Sequence, residues 1–139
     1  MNIIGKWKIS DVMVGVKDHQ IIWDTVENAK AAKGQAPETF FYDSIFEFSS
    51  DGKSRTLMPI PENVPSEEVK RMADQGTIIL YDGMVLAEEV DWKEDNGVFF
   101  YDTSSKSALL NEGVPGCLEL NFDGEKMQLL TFKLIKIDD

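Results

Sequence analysis

The chain has 139 residues, with 25 Asp and Glu against 14 Lys and Arg, one His and one Cys. Its formal net charge of −11 argues against nucleic acid or an anionic membrane as partner, since both repel a polyanion. One cysteine excludes an intramolecular disulfide and every multi-cysteine metal site, and the length fits a single domain with a real core.

The chain opens Met1-Asn2-Ile3-Ile4-Gly5-Lys6-Trp7-Lys8, two lysines around a tryptophan, without the apolar run of a secretory signal. No apolar stretch approaches the ~20 residues of a membrane span. The expected compartment is the cytoplasm, although a secreted chain with its signal removed would read the same way. The first strand is expected from Ile3 to about Val16. Lys17-Asp18-His19-Gln20 then reads as a polar turn. From Asp24 to Lys33 a helix is expected. Asp24 and Glu27 have capping-box spacing, alanines favour helix, and Gly34 with Pro37 ends it. Its weak apolar face places it on the surface or over an opening.

Phe40 to Phe48 is rich in residues that suit a pleated surface, with Phe46 and Phe48 on one face and Glu47 opposite. Asp51-Gly52 leads to a strand over Ser54–Met58. The Pro-rich piece from Met58 to Pro65 runs into a second helix, Pro65 to Gln75. Pro near the first helical position, acids in the first turn and Gly76 at the end support that helix. Further strands are expected at Thr77–Tyr81, Met84–Lys93, Val98–Tyr101, Lys106–Leu110, Cys117–Phe122 and Met127–Ile137. Between them stand Asp82-Gly83, Asn96-Gly97 and Asp123-Gly124, dipeptides that accept the positive φ of tight hairpin turns. The predicted fold is mainly β: a single-domain antiparallel up-and-down barrel of eight or nine strands with one or two short helices.

Gly5-x-Trp7, at the start of the first strand of a small meander barrel, resembles the N-terminal motif of the calycins, the lipocalins and fatty-acid-binding proteins. The resemblance implies that Trp7 plugs one end of the barrel with Gly5 as its spacer. The layout from Met58-Pro59-Ile60-Pro61 to Asp82-Gly83, then Trp92-x-x-x-x-Gly97 and Lys133-Leu134-Ile135-Lys136, is similar to bacterial lipocalin-like domains. That likeness implies a barrel that holds a small apolar or amphipathic, lipid-like ligand.

Chemistry is sparsely signalled. His19 sits in a polar turn with no orienting partner or nucleophile proposed by the sequence. Cys117 reads as a small hydrophobe. No catalytic residue, metal-ligand spacing, phosphate loop or cofactor motif stands out. An enzyme is therefore the less favoured reading. The candidate ligand lining on the inward strand faces is Trp7, Ile9, Tyr42 and Phe46, with Met84, Leu86, Trp92 and Phe100. Strict alternation also turns Asp11 and Glu88 inward, as polar anchors partnered by Lys133 or the Tyr42 hydroxyl. The competing expectation is a bulge that turns either carboxylate outward. The alternative function is a ligand-free barrel that docks a partner on the acidic run Glu88 to Asp95.

The acidic excess is uneven. Residues 1–60 balance to −1, whereas residues 61–139 carry −10.

Overall fold

The computed structural model describes residues 3–33, 41–61, 63–102, 117–129 and 131–137. In chain order the elements are β1 (Gly5–Lys17), β2 (Gln20–Thr25), α1 (Val26–Lys33), β3 (Ile45–Phe48), β4 (Lys53–Met58) and α2 (Ser66–Asp74). They continue with β5 (Leu80–Tyr81), β6 (Met84–Asp95), β7 (Val98–Asp102), β8 (Cys117–Asp123), β9 (Lys126–Leu129) and β10 (Phe132–Ile137). The antiparallel order is β10-β9-β8-β7-β6-β4-β3-β1, and β10 pairs back onto β1. Eight strands thus close a barrel, which leaves no edge along the ring. Two extra strands stand off it: β2 on β1 and β5 on β6.

The turn dipeptides do what their chemistry suggests. Asp82-Gly83 and Asn96-Gly97 both take positive φ at each residue, the pairing that matches strand twist in a two-residue hairpin. The same geometry appears without glycine at Asp18 and His19, with φ of 52° and 65°. That turn folds β2 onto β1, a hairpin partner absent from the expected elements. It also shortens the expected helix. The cap of α1 is Thr25, whose hydroxyl accepts the Asn28 N–H at 3.2 Å, while Asp24 accepts from the Asn28 amide. In α2, Pro65 stands just outside the helix and Val69 is its buried residue. Of the described part of the expected strand, residues 41–48, only Ile45–Phe48 is strand, and Phe40 lies outside the described residues. The expected run Met127–Ile137 is two strands, β9 and β10. The expected strand Lys106–Leu110 lies outside the described residues.

The core fills the barrel interior. Trp7, Ile9, Val12, Phe46, Phe48, Val90, Phe99, Tyr101, Leu120, Met127, Leu129 and Leu134 are all buried there, with Ala29 of α1 joining them. Ring contacts run from Phe48 through Trp92 and Phe99 to Phe122, at centroid separations of 5.8 to 6.2 Å. Each such side chain contributes about 1.5–3 kcal/mol by leaving water. Trp7 closes locally: its indole N–H donates to the Ile3 carbonyl at 2.9 Å.

Two bulges decide which side chains face this core. On β1, Ile9 pairs with Leu134 and Asp11 with Lys133, so Ser10 is the extra residue. On β6, Glu88 pairs with Thr56 and Leu86 with Leu57, so Ala87 is the extra residue. An extra residue reverses the inward and outward alternation beyond it. No helix is long and apolar enough to cross a membrane.

Candidate functional site

The register gives β1 an interrupted edge. Lys6–Lys8 have β3 on one side and β10 on the other. Asp11 and Val12 have β2 on one side and β10 on the other. Strands β3 and β2 therefore share the edge of β1 opposite β10, one after the other, and the edge changes hands at Ile9 and Ser10. A cleft of about 430 Å3 opens there. Its outer wall is a row of cross-strand neighbours on four strands: Lys126, Ile135, Lys8 and Ile45. Its inner end is lined by Ile9, Tyr42 and Ser44. Ile9 and Tyr42 belong to the core, so the cleft enters the wall rather than lying on it. Its roof is α1, through Val26, Glu27 and Lys30. An ion pair between Lys30 and Asp43 ties that roof to residues 41–44.

The interior holds a second polar feature. Glu88, Tyr101, Thr56 and Ser54 are each no more than 2% exposed and sit on three neighbouring strands. The Tyr101 hydroxyl donates to Glu88 Oε1. Burial pushes the phenol well above its ordinary range, and the charge on Glu88 and the hydrogen bond to it add to the rise, while the Thr56 and Ser54 hydroxyls oppose it. Tyr101 thus stays a donor, and the carboxyl group has a fixed partner in a water-poor setting.

The sequence-predicted residues separate into groups. Trp7, Ile9, Tyr42, Phe46 and Glu88 are buried, and Trp92 packs against the core with its indole N–H donating to the Ser49 carbonyl at 2.9 Å. Asp11 faces outward with Lys133, because the Ser10 bulge inverts the alternation before it is reached. Burial raises the Asp11 carboxyl, but hydrogen bonds from Lys126 at 2.6 Å and Ser10 at 2.7 Å outweigh it. Together with the charges of Lys126 and Lys133, they hold it below the usual carboxylate range. Lys133 itself lies over the Trp23 ring at 4.7 Å, outside the barrel. Leu86 is paired with Leu57 on the face opposite Glu88, and Met84 shares its alternation, so neither joins the interior lining. Phe100 points outward beneath Lys93, beside a smaller hollow of about 200 Å3, while its neighbours Phe99 and Tyr101 point in. Of the expected lining, Ile9 and Tyr42 alone meet at the cleft.

Lys8, Ser44, Val26 and Lys126 were not anticipated, nor was Tyr101 as the partner of Glu88. Tyr101 was within reach of the sequence. An Asn96-Gly97 two-residue turn pairs Trp92 with Tyr101 and Lys93 with Phe100, so an inward Trp92 requires an inward Tyr101. The acidic run from Glu88 to Asp95 is also less free than its composition suggests. Glu88 is inside, Glu89 pairs with Arg55 at 2.8 Å, and Asp91 pairs with Lys53 at 2.7 Å. Among the described residues no three His, Cys, Asp or Glu side chains converge as a metal site would require.

No family model, curated protein or solved structure matches the chain. The site must therefore be read from its own geometry.

Proposed function

We propose that the protein binds a small apolar or amphipathic molecule, and that the ligand lodges in the cleft where β1 changes partner. The single observation that carries this reading is the cleft itself. A space of about 430 Å3 with an apolar inner end and a polar mouth falls within the range of small-molecule sites. The deep interior supports it less, because aromatic and aliphatic side chains occupy it. The likeness of Gly5-x-Trp7 to the calycin start favours the same class of function. Docking on the acidic hairpin has weaker support, since Arg55 and Lys53 already engage two of its acids.

The test uses the natively purified chain. A neutral naphthylamine dye is expected to bind saturably with enhanced fluorescence, and native mass spectrometry to show one added mass. Val26→Trp, which fills the cleft from its roof, is expected to abolish both signals. Absence of saturable binding, or binding indifferent to Val26→Trp, would sink this reading.

A further inference from the structure

We infer that the cleft selects an amphipathic organic anion that carries a second polar atom on its apolar body. In this assignment Lys8 holds the anionic group at the mouth, and the Ser44 hydroxyl pairs with the second polar atom at the inner end. The inference rests on the cleft being the ligand site, as proposed above.

The first observation is the sign of the lining. On a chain of net charge −11, the cleft gathers Lys8, Lys30 and Lys126 against Glu27 and Asp43. Two of those lysines are engaged: Lys30 with Asp43, and Lys126 with Asp11 at 2.6 Å. The Lys8 ammonium makes no hydrogen bond or ion pair with any described residue. It projects from the outer wall between Ile135 and Ile45, its cross-strand neighbours on the two sides. A cation flanked by two isoleucines offers an anion a charge partner and offers the adjoining carbon skeleton an apolar wall. A cationic ligand would meet Lys8 with like charge, and a neutral one would leave it idle.

The second observation is independent of charge. Ser44 lines the cleft, is 0% exposed, and its Oγ has no hydrogen-bond partner among the described residues. Buried hydroxyls are ordinarily paired, and Ser44 is the one described residue with an unpaired buried side chain that also lines the cleft, where a ligand atom would complete its bond. Ser44 lies one residue before Ile45, the partner of Lys8, and next to the interrupted edge at Ile9. The exposed Lys8 on the outer wall and the buried Ser44 at the inner end therefore line one short cleft, together with Ile9 and Val26. A simple hydrocarbon acid would satisfy only the first. An acid with a hydroxyl, keto or amino group on its body would satisfy both.

Two dyes of one skeleton separate these parts. Anilinonaphthalene sulfonate carries an anion and an amine, and phenylnaphthylamine carries the amine alone. Lys8→Met is expected to weaken the sulfonate about tenfold and to leave the neutral dye within about twofold. Ser44→Ala is expected to weaken both dyes about threefold. Lys93→Met, at the separate hollow beside Phe100, is expected to change neither. Failure of both dyes to bind the unaltered protein would remove the small-molecule reading and this inference together. Binding of both dyes with equal response to Lys8→Met, or a sulfonate response to Lys93→Met instead, would overturn the inference and leave the broader reading standing. An unchanged affinity in Ser44→Ala would remove the hydroxyl from the site.

Discussion

Asp11 and Glu88 are two acids on two long strands, and each directly follows a one-residue bulge. Their fates are opposite. Glu88 is inside the barrel, 2% exposed and bonded to Tyr101. Asp11 is outside, paired with Lys126 and beside Lys133. The difference lies in where the inward anchors stand. On β6 the anchors are Val90 and Trp92, on the same side of the bulge as Glu88, so alternation carries to it unbroken. On β1 the anchors are Trp7 and Ile9, and the Ser10 bulge lies between them and Asp11. Alternation is a local rule, and it holds only up to the next irregularity.

The largest expected effect tests the inward side of this comparison. Phe99 is buried and Phe100 lies under Lys93 on the outer face. Phe99→Ala is expected to cost about 3–4 kcal/mol in urea unfolding, and Phe100→Ala less than about 1 kcal/mol. Equal costs would mean that the β6–β7 register does not control which face is the core.

Tyr101→Phe comes next. It removes the hydroxyl donor from a buried carboxyl group while keeping the ring, and is expected to cost about 2–3 kcal/mol. Adding Glu88→Met removes the polar group left behind, and should recover at least half of that loss. A variant as stable as the parent would show that the pair is not the feature that holds Glu88 inward.

Much of the architecture was legible because it is written in local chemistry. The glycine dipeptides and the aromatic and β-branched runs between them announce hairpins, and enough hairpins imply a closed barrel. What escaped was either unmarked or long-range. Asp18 and His19 read as a polar turn, but without a glycine nothing marked it as a tight hairpin, so β2 went unseen. The break between β9 and β10 has no Gly or Pro to mark it. Neither Ser10 nor Ala87 is distinctive in composition, and both reverse a face. The cleft wall is assembled from β9, β10, β1 and β3, whose closure joins the two ends of the chain. No periodicity within one segment could place Lys126 and Lys8 in one row. Tyr101 belongs to neither class: the turn that paired it with Trp92 was identified, and its consequence for Phe100 followed from that pairing.

The smallest expected effect sharpens the outward side. Asp11→Asn removes the charge that Lys126 and Lys133 favour, at a position 8% exposed but on the outer face. At neutral pH the cost is expected to be about 1 kcal/mol. Its pH dependence carries more information than its size. The folded-state pKa of Asp11 is depressed, so the native state favours the ionised form more than the unfolded chain does. The stability it adds is complete above the unfolded value of about 4 and is lost as pH falls through the lower folded value. The gap between parent and Asp11→Asn should thus be constant from pH 7 to about 5 and narrow steadily below about 4. A gap that instead widened on acidification would mean that burial, not Lys126, dominates at Asp11. The carboxyl would then behave as an interior group, and the contrast with Glu88 would fail.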